Sequence, residues 1–168
     1  DRITTGFAGD PSTGFTVSWH TDAEIPNPAA LISQSTATPS VLDTATTVTA
    51  VSRRISLPGK EDLIYHEATF DGLKPSTTYM YRVGGAEVWS EWFDFKTAAA
   101  TPAPFKIIYL GDPQIQIKAM CSRAFRNAFI QAPDAALFCY AGDLVNQGYN
   151  DGYWEEWDDA VSFIAAIR

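Results

Sequence analysis

Asp71-Gly72-Leu73-Lys74-Pro75-Ser76-Thr77-Thr78-Tyr79 is the stretch on which the fold of the first part of the chain turns. Asp71-Gly72 is turn chemistry, and Pro75 fixes the backbone at a corner. Tyr79 opens the alternating run Tyr79-Met80-Tyr81-Arg82-Val83, which has the period of a half-buried strand. A tyrosine placed there can fill a core while its hydroxyl caps main chain near the corner. Upstream, Phe15 to Trp19, Thr46 to Ser52 and Tyr65 to Phe70 read as further strands; downstream, Trp92 to Lys96 completes the set. Short strands at this spacing, with no helical pattern between them, predict an antiparallel all-β sandwich over residues 1–98. The competing reading is an unrelated β-meander with a proline turn.

The pattern Leu73-x-Pro75-x-Thr77-x-Tyr79, with Trp19 on an early strand, resembles the tyrosine corner of fibronectin type III-like domains. That resemblance implies a sandwich of the same kind. The composition then changes near residue 98. Residues 99–104, with Pro102 and Pro104, read as a linker, and residues 105–168 follow a different period. Phe105 to Leu110 is a near-continuous apolar run, typical of a strand buried on both faces. Ile117 to Ile130 has helical spacing, with Met120, Ala124, Phe125, Ala128 and Phe129 on or near one face. Ala135 to Ala141 is a second apolar run. Tyr153 to Ile167 is helical again, through Trp154, Trp157, Val161 and Ile164. Strand, helix, strand, helix implies a right-handed parallel βαβα unit opening an α/β domain.

Both apolar runs end in Gly-Asp: Leu110-Gly111-Asp112-Pro113-Gln114 and Ala141-Gly142-Asp143-Leu144-Val145-Asn146. Ligands of α/β sheets sit beyond the carboxyl ends of the strands. If the two strands pair in parallel, both carboxylates emerge at one edge, and they repel unless a cation lies between them. Hard oxygen donors at a shared edge suit a divalent metal. The plain alternative is that each Asp forms a turn or caps a helix.

With these motifs in place, the chain resembles the calcineurin-like metallophosphoesterases, in the purple acid phosphatase-like branch where a fibronectin III-like domain precedes the catalytic one. The resemblance covers the whole chain. It implies that Asp112 binds one metal and that Asp143 bridges two. It also implies a dinuclear centre of Fe, Zn, Mn or Mg type that hydrolyses phosphate esters. Gln114 stands where many relatives place a histidine ligand, and Asn146 stands where purple enzymes place a tyrosine. Each amide either coordinates through its oxygen, supports the ligands by hydrogen bonds, or does neither. Without the tyrosine the centre would lack the colour of its purple relatives. The family's later Asn-His and His motifs do not occur after Asp143, so the expectation is a fragment that ends at Arg168 and is inactive by itself.

The remaining composition narrows the partners. The 168 residues are 46% hydrophobic and 19% charged, enough for packed cores. Twelve Lys+Arg against twenty Asp+Glu give a net charge of −8, which disfavours nucleic acid as a partner. No apolar run approaches the ~18–20 residues that span a bilayer. The family likeness implies an extracellular or cell-envelope protein acting on a phosphoester small molecule or a phosphoprotein. Self-association through an exposed apolar face of the second segment is a further expectation.

Cys139, in its apolar run, reads as a buried thiol, with a bridge to Cys121 left open. His20 and His66 read as strand or surface histidines. The pairs Trp89/Trp92 and Trp154/Trp157 read as packing residues rather than sugar platforms. Asp151, Glu155, Glu156, Asp158 and Asp159 read as a solvated helix face rather than a calcium site. Two readings compete with the hydrolase: a non-catalytic binding or adhesion module built on the sandwich, and an α/β fold holding a non-metal ligand at the same strand ends.

Overall fold

The computed structural model describes residues 1–38, 41–56 and 61–167. The expected end of the second segment at Arg168 lies outside them. The chain divides into two compact units, Asp1–Pro102 and Ala103–Ala166.

The first unit is a β sandwich. Strands β1 (Thr4–Gly6), β2 (Phe15–Thr21), β5 (Val51–Ile55) and β6 (Leu63–Phe70) form one antiparallel sheet in the order β1-β2-β6-β5. The second sheet holds β3 (Ala29–Gln34), β4 (Thr46–Thr49), β7 (Thr78–Gly85), β8 (Val88–Trp89) and β9 (Phe93–Lys96), with β7 pairing β3, β8 and β9. A single helical turn, α1 (Val41–Thr44), precedes β4. The strand expected over Thr46 to Ser52 is in fact two. β4 belongs to one sheet and β5 to the other, and the chain crosses between them at buried Ala50, whose N–H donates to the Pro28 carbonyl at 2.9 Å. The sequence reading also missed β1, β3 and β8, whose short or interrupted patterns carry little period.

Alternation builds the core. Phe15, Val17 and Trp19 of β2 and Ala68 and Phe70 of β6 face Ala30, Ile32, Tyr79, Tyr81 and Val83 of the other sheet. Phe15 stacks on Phe95 with ring centroids 3.8 Å apart and meets Tyr81 edge-on. The corner behaves as its residues dictate: Tyr79 Oη accepts the Lys74 N–H at 2.9 Å, and Thr97 Oγ1 donates to the Lys74 carbonyl at 2.7 Å. Trp89 and Trp92 clasp the Arg82 guanidinium, 4.8 and 5.0 Å from their ring centroids.

Neither histidine is a surface residue. His66 is 1% exposed, and its ring nitrogens lie 2.9 Å from Thr21 Oγ1 and 2.8 Å from Ser52 Oγ. Burial, and secondarily the charge of His20, lowers its pKa. His20 is 4% exposed, with Nδ1 2.8 Å from Asp1 Oδ1.

In the second unit β10 (Ile107–Leu110) pairs in parallel with β11 (Leu137–Tyr140), in register from Ile107↔Leu137 to Leu110↔Tyr140. Between them lie a π-helical turn (Ile117–Cys121) and α2 (Ser122–Gln131), and α3 (Asp151–Ala165) follows. The Asn150 side chain caps α3 by accepting the Gly152 N–H at 3.1 Å. Ile117, Phe125, Ala160 and Val161 form the buried centre, flanked by Tyr140 and Trp157. Met120 and Ala124 of the expected helix face are exposed, because the π-helical turn rotates the register before α2 begins.

Two expectations fail here for one reason. β10 is not buried on both faces: Ile107 is 50% and Tyr109 70% exposed. Cys139 is an exposed free thiol rather than a buried one, and Cys121 is also free. Cys139 pairs with Tyr109 across the ladder and shares its bare face of the sheet. A two-stranded sheet with its helices packed on one face leaves alternate residues open on the other.

Candidate metal centre

The site is built at the ends of the parallel pair. Beyond Leu110 and Tyr140 the two chains stay together, with the Ala141 N–H donating to the Leu110 carbonyl at 2.8 Å. Gly111 is small because a Cβ there would sit 3.3 Å from the Ala141 Cβ. Gly142 is needed for a different reason, its φ of 108°, which L side chains rarely adopt. Each chain then turns at its aspartate. Asp112 has φ 51° and Asp143 φ 45°, both left-handed, and Gln116 follows at φ 53°. Left-handed non-glycine residues are uncommon and cost about 1–3 kcal/mol, a cost that clusters at functional sites.

Gln114 lies against both turns. With its amide nitrogen toward the main chain, it donates to the Asp112 carbonyl at 3.0 Å and to the Asp143 carbonyl at 3.2 Å. The other end of the amide lies 3.4 Å from Asp143 Oδ2. One NH2 group cannot serve both sides. The two shorter contacts favour the first orientation, which turns the amide oxygen toward the Asp143 carboxylate. A carboxylate and an amide oxygen are the hard donors that divalent cations take.

The Asp112 and Asp143 side chains are exposed, and neither forms an ion pair among the described residues. Lys106 and Lys118 pair instead with Asp134 and Asp159, at 2.8 and 2.6 Å. Asn146 is exposed and makes no hydrogen bond to Asp112, Gln114 or Asp143 among the described residues. Three of the four residues singled out in the sequence therefore meet at one rim, and the fourth does not join them. That Gln114 ties the two loops together could not be read from its position in the chain. The proline before it is visible in sequence, but the loop that brings it back and the orientation of its amide are not.

Nearby, the Cys121 thiol points at the carbonyls of Pro113 and Ile115, 3.6 and 3.5 Å away. Burial raises its pKa. Tyr140, the last residue of β11, has a buried hydroxyl with no partner among the described residues, and burial pushes its pKa up to about 12.

No curated protein sequence matches the chain closely enough to count as a relative. Among solved structures, PhoD aligns over 98% of this chain with a TM-score of 0.63 and 15% identity. The chain spans 36% of that structure's length, so the likeness is one of fold to part of a larger protein. A computer-redesigned β-sandwich protein aligns over 59% of this chain and 93% of its own, at TM-score 0.37 and 17% identity. Astrotactin-2 aligns over 54% of this chain and 20% of its own, at TM-score 0.38 and 14% identity. Residues 1–97 match the family described as the purple acid phosphatase N-terminal domain, and the chain belongs to that family.

Proposed function

We propose that this chain is the N-terminal part of a metal-dependent phosphoesterase that hydrolyses phosphate esters at a dinuclear centre. The observation that carries the reading is the Gln114 amide, which touches main chain at both aspartates across the parallel pair. Family membership over residues 1–97 and the fold likeness to PhoD support it. In this reading the sandwich is fibronectin type III-like, and the second unit is the opening βαβα part of a metallophosphoesterase domain.

Asp112 would hold one cation and Asp143 both, with the Gln114 oxygen as a further donor. Divalent ions of Fe, Zn, Mn or Mg type would clamp the phosphoester and lower the pKa of a bound water. The work of this chain's own residues is to bring the acidic groups together. The left-handed turns aim the two loops, and the Gln114 N–H groups hold the loops to each other. Two carboxylates and one amide are few donors for a tight two-metal site, so the chain alone binds metal weakly and does not turn over substrate. The substrate class is a phosphoester small molecule or a phosphoprotein, met outside the cytoplasm or at the cell envelope. The bare face of β10 and β11 is where the chain alone would self-associate.

Calorimetric titration with Mn2+ tests the reading. Saturable binding that is lost in both Asp112→Asn and Asp143→Asn, without hydrolysis of p-nitrophenyl phosphate by the chain alone, supports it. Binding unchanged in either variant overturns it.

A further inference from the structure

A second set of metal-ligating groups lies in the sandwich, away from the Gly-Asp loops. One ligand atom from each of Asp1, His20 and Asp22 falls within 4.8 Å of the other two. His20 is the unusual member. Along β2 the inward residues are Phe15, Val17, Trp19 and Thr21, so strand period places His20 on the outward side with Thr16 and Ser18. Those two are half-buried, yet His20 is 4% exposed. It is covered by Asp1, whose carboxylate lies 2.8 Å from Nδ1, and by the Tyr65 ring at 5.3 Å. Asp1 and Asp22 are themselves exposed.

Charge and chemistry both bear on this cluster. Two carboxylates held this close repel. The Asp1 ammonium, which donates to the His20 carbonyl at 3.0 Å, is a cation already beside them, and a divalent cation adds ligation of both carboxylates and the imidazole. Asp1 and His20 also line a cleft of about 250 Å³, together with Trp19, Thr21, Trp89 and Ser90. Three protein ligands leave coordination positions on the cation open to water.

We infer that Asp1, His20 and Asp22 form a divalent-cation site in the sandwich, distinct from the Asp112–Asp143 rim. One imidazole with two carboxylates selects an ion of the zinc class over magnesium or calcium, which take oxygen alone.

The test is a Zn2+ titration of the chain, of Asp22→Asn and of Asp143→Asn, with Mg2+ and Ca2+ as competitors. Asp22 is exposed, so its variant folds; His20→Gln is a second, buried probe whose fold is checked by circular dichroism. The site predicts one zinc per chain that survives excess Mg2+ and Ca2+ and is unchanged in Asp143→Asn. Removal of the Asp22 ligand should weaken it by about tenfold or more. Equal zinc affinity in Asp22→Asn, or zinc lost only in Asp143→Asn, overturns the site. Since Asp143→Asn also abolishes binding at the rim, failure of one assignment is distinguishable from failure of the other.

Discussion

The two units solve the same burial problem with different resources. In the sandwich each sheet covers the other, and Phe15 and Tyr81 reach 0% exposure. In the second unit a two-stranded sheet packs on its helices by one face only, and Tyr109 remains 70% exposed on the other. Antiparallel strands that alternate carry the instructions for their own cover, because a polar face and an apolar face are both written into the strand. A continuous apolar run such as Phe105 to Leu110 asks for cover on two faces, and the described part of this unit supplies one.

Deletion in the sandwich core should have the largest effect. Phe15→Ala removes a ring packed against Phe70, Tyr81 and Phe95, and should cost about 3–5 kcal/mol. Denaturant unfolding followed with probes in each unit should show the first unit losing stability while the second keeps its transition. A joint shift of both would mean that the units do not unfold separately.

Loss of the corner bond comes next. Tyr79→Phe removes the hydroxyl that accepts the Lys74 N–H and should destabilise the sandwich by about 0.5–1.5 kcal/mol, read as a fall in the denaturant midpoint. In the other unit the comparable change runs the opposite way. Tyr140→Phe deletes a buried hydroxyl that has no partner among the described residues, so it should be neutral or stabilising by up to about 1 kcal/mol.

Acid separates the units further. His66 has a folded pKa below the ordinary imidazole value of 6.5, so the unfolded chain binds the proton more readily. The stability this supplies is present above 6.5. It falls as pH drops below that value and levels off beneath the lowered folded pKa. His66→Gln should flatten that part of the first unit's stability curve and leave the second unit's curve unchanged. The smallest expected effect is chemical. At neutral pH a thiol reagent should label exposed Cys139 quickly, and should label Cys121 slowly because burial raises its pKa.

Legibility in the sequence followed the range of the interactions. The corner at Pro75 and Tyr79 was readable because the Tyr79–Lys74 bond spans only five residues, whereas the Thr97 bond to Lys74 was not. The parallel pair was readable because two apolar runs are separated by a helical period, which calls for a crossover connection. The crossing at Ala50 was not, since nothing local distinguishes a strand that stays in its sheet from one that changes sheets. His20 and His66 read as strand or surface histidines; both lie in strands, and their burial was not legible because the cover comes from Asp1 for His20 and from Thr21 and Ser52 for His66. At the rim, the two aspartates could be named from their motifs. The way Gln114 joins them depends on a loop closing back on itself, which composition and period do not encode.

The central claim is that Asp112 and Asp143 share one rim and grip a cation together. Paramagnetic Mn2+ added to the isotopically labelled chain tests it directly, because amide signals broaden only near the bound ion. The account predicts that signals of residues 111–116 and 141–145 broaden together at the same Mn2+ concentration, and that both effects vanish in Asp143→Asn. Broadening of one loop without the other, or persistence of both in that variant, would contradict it.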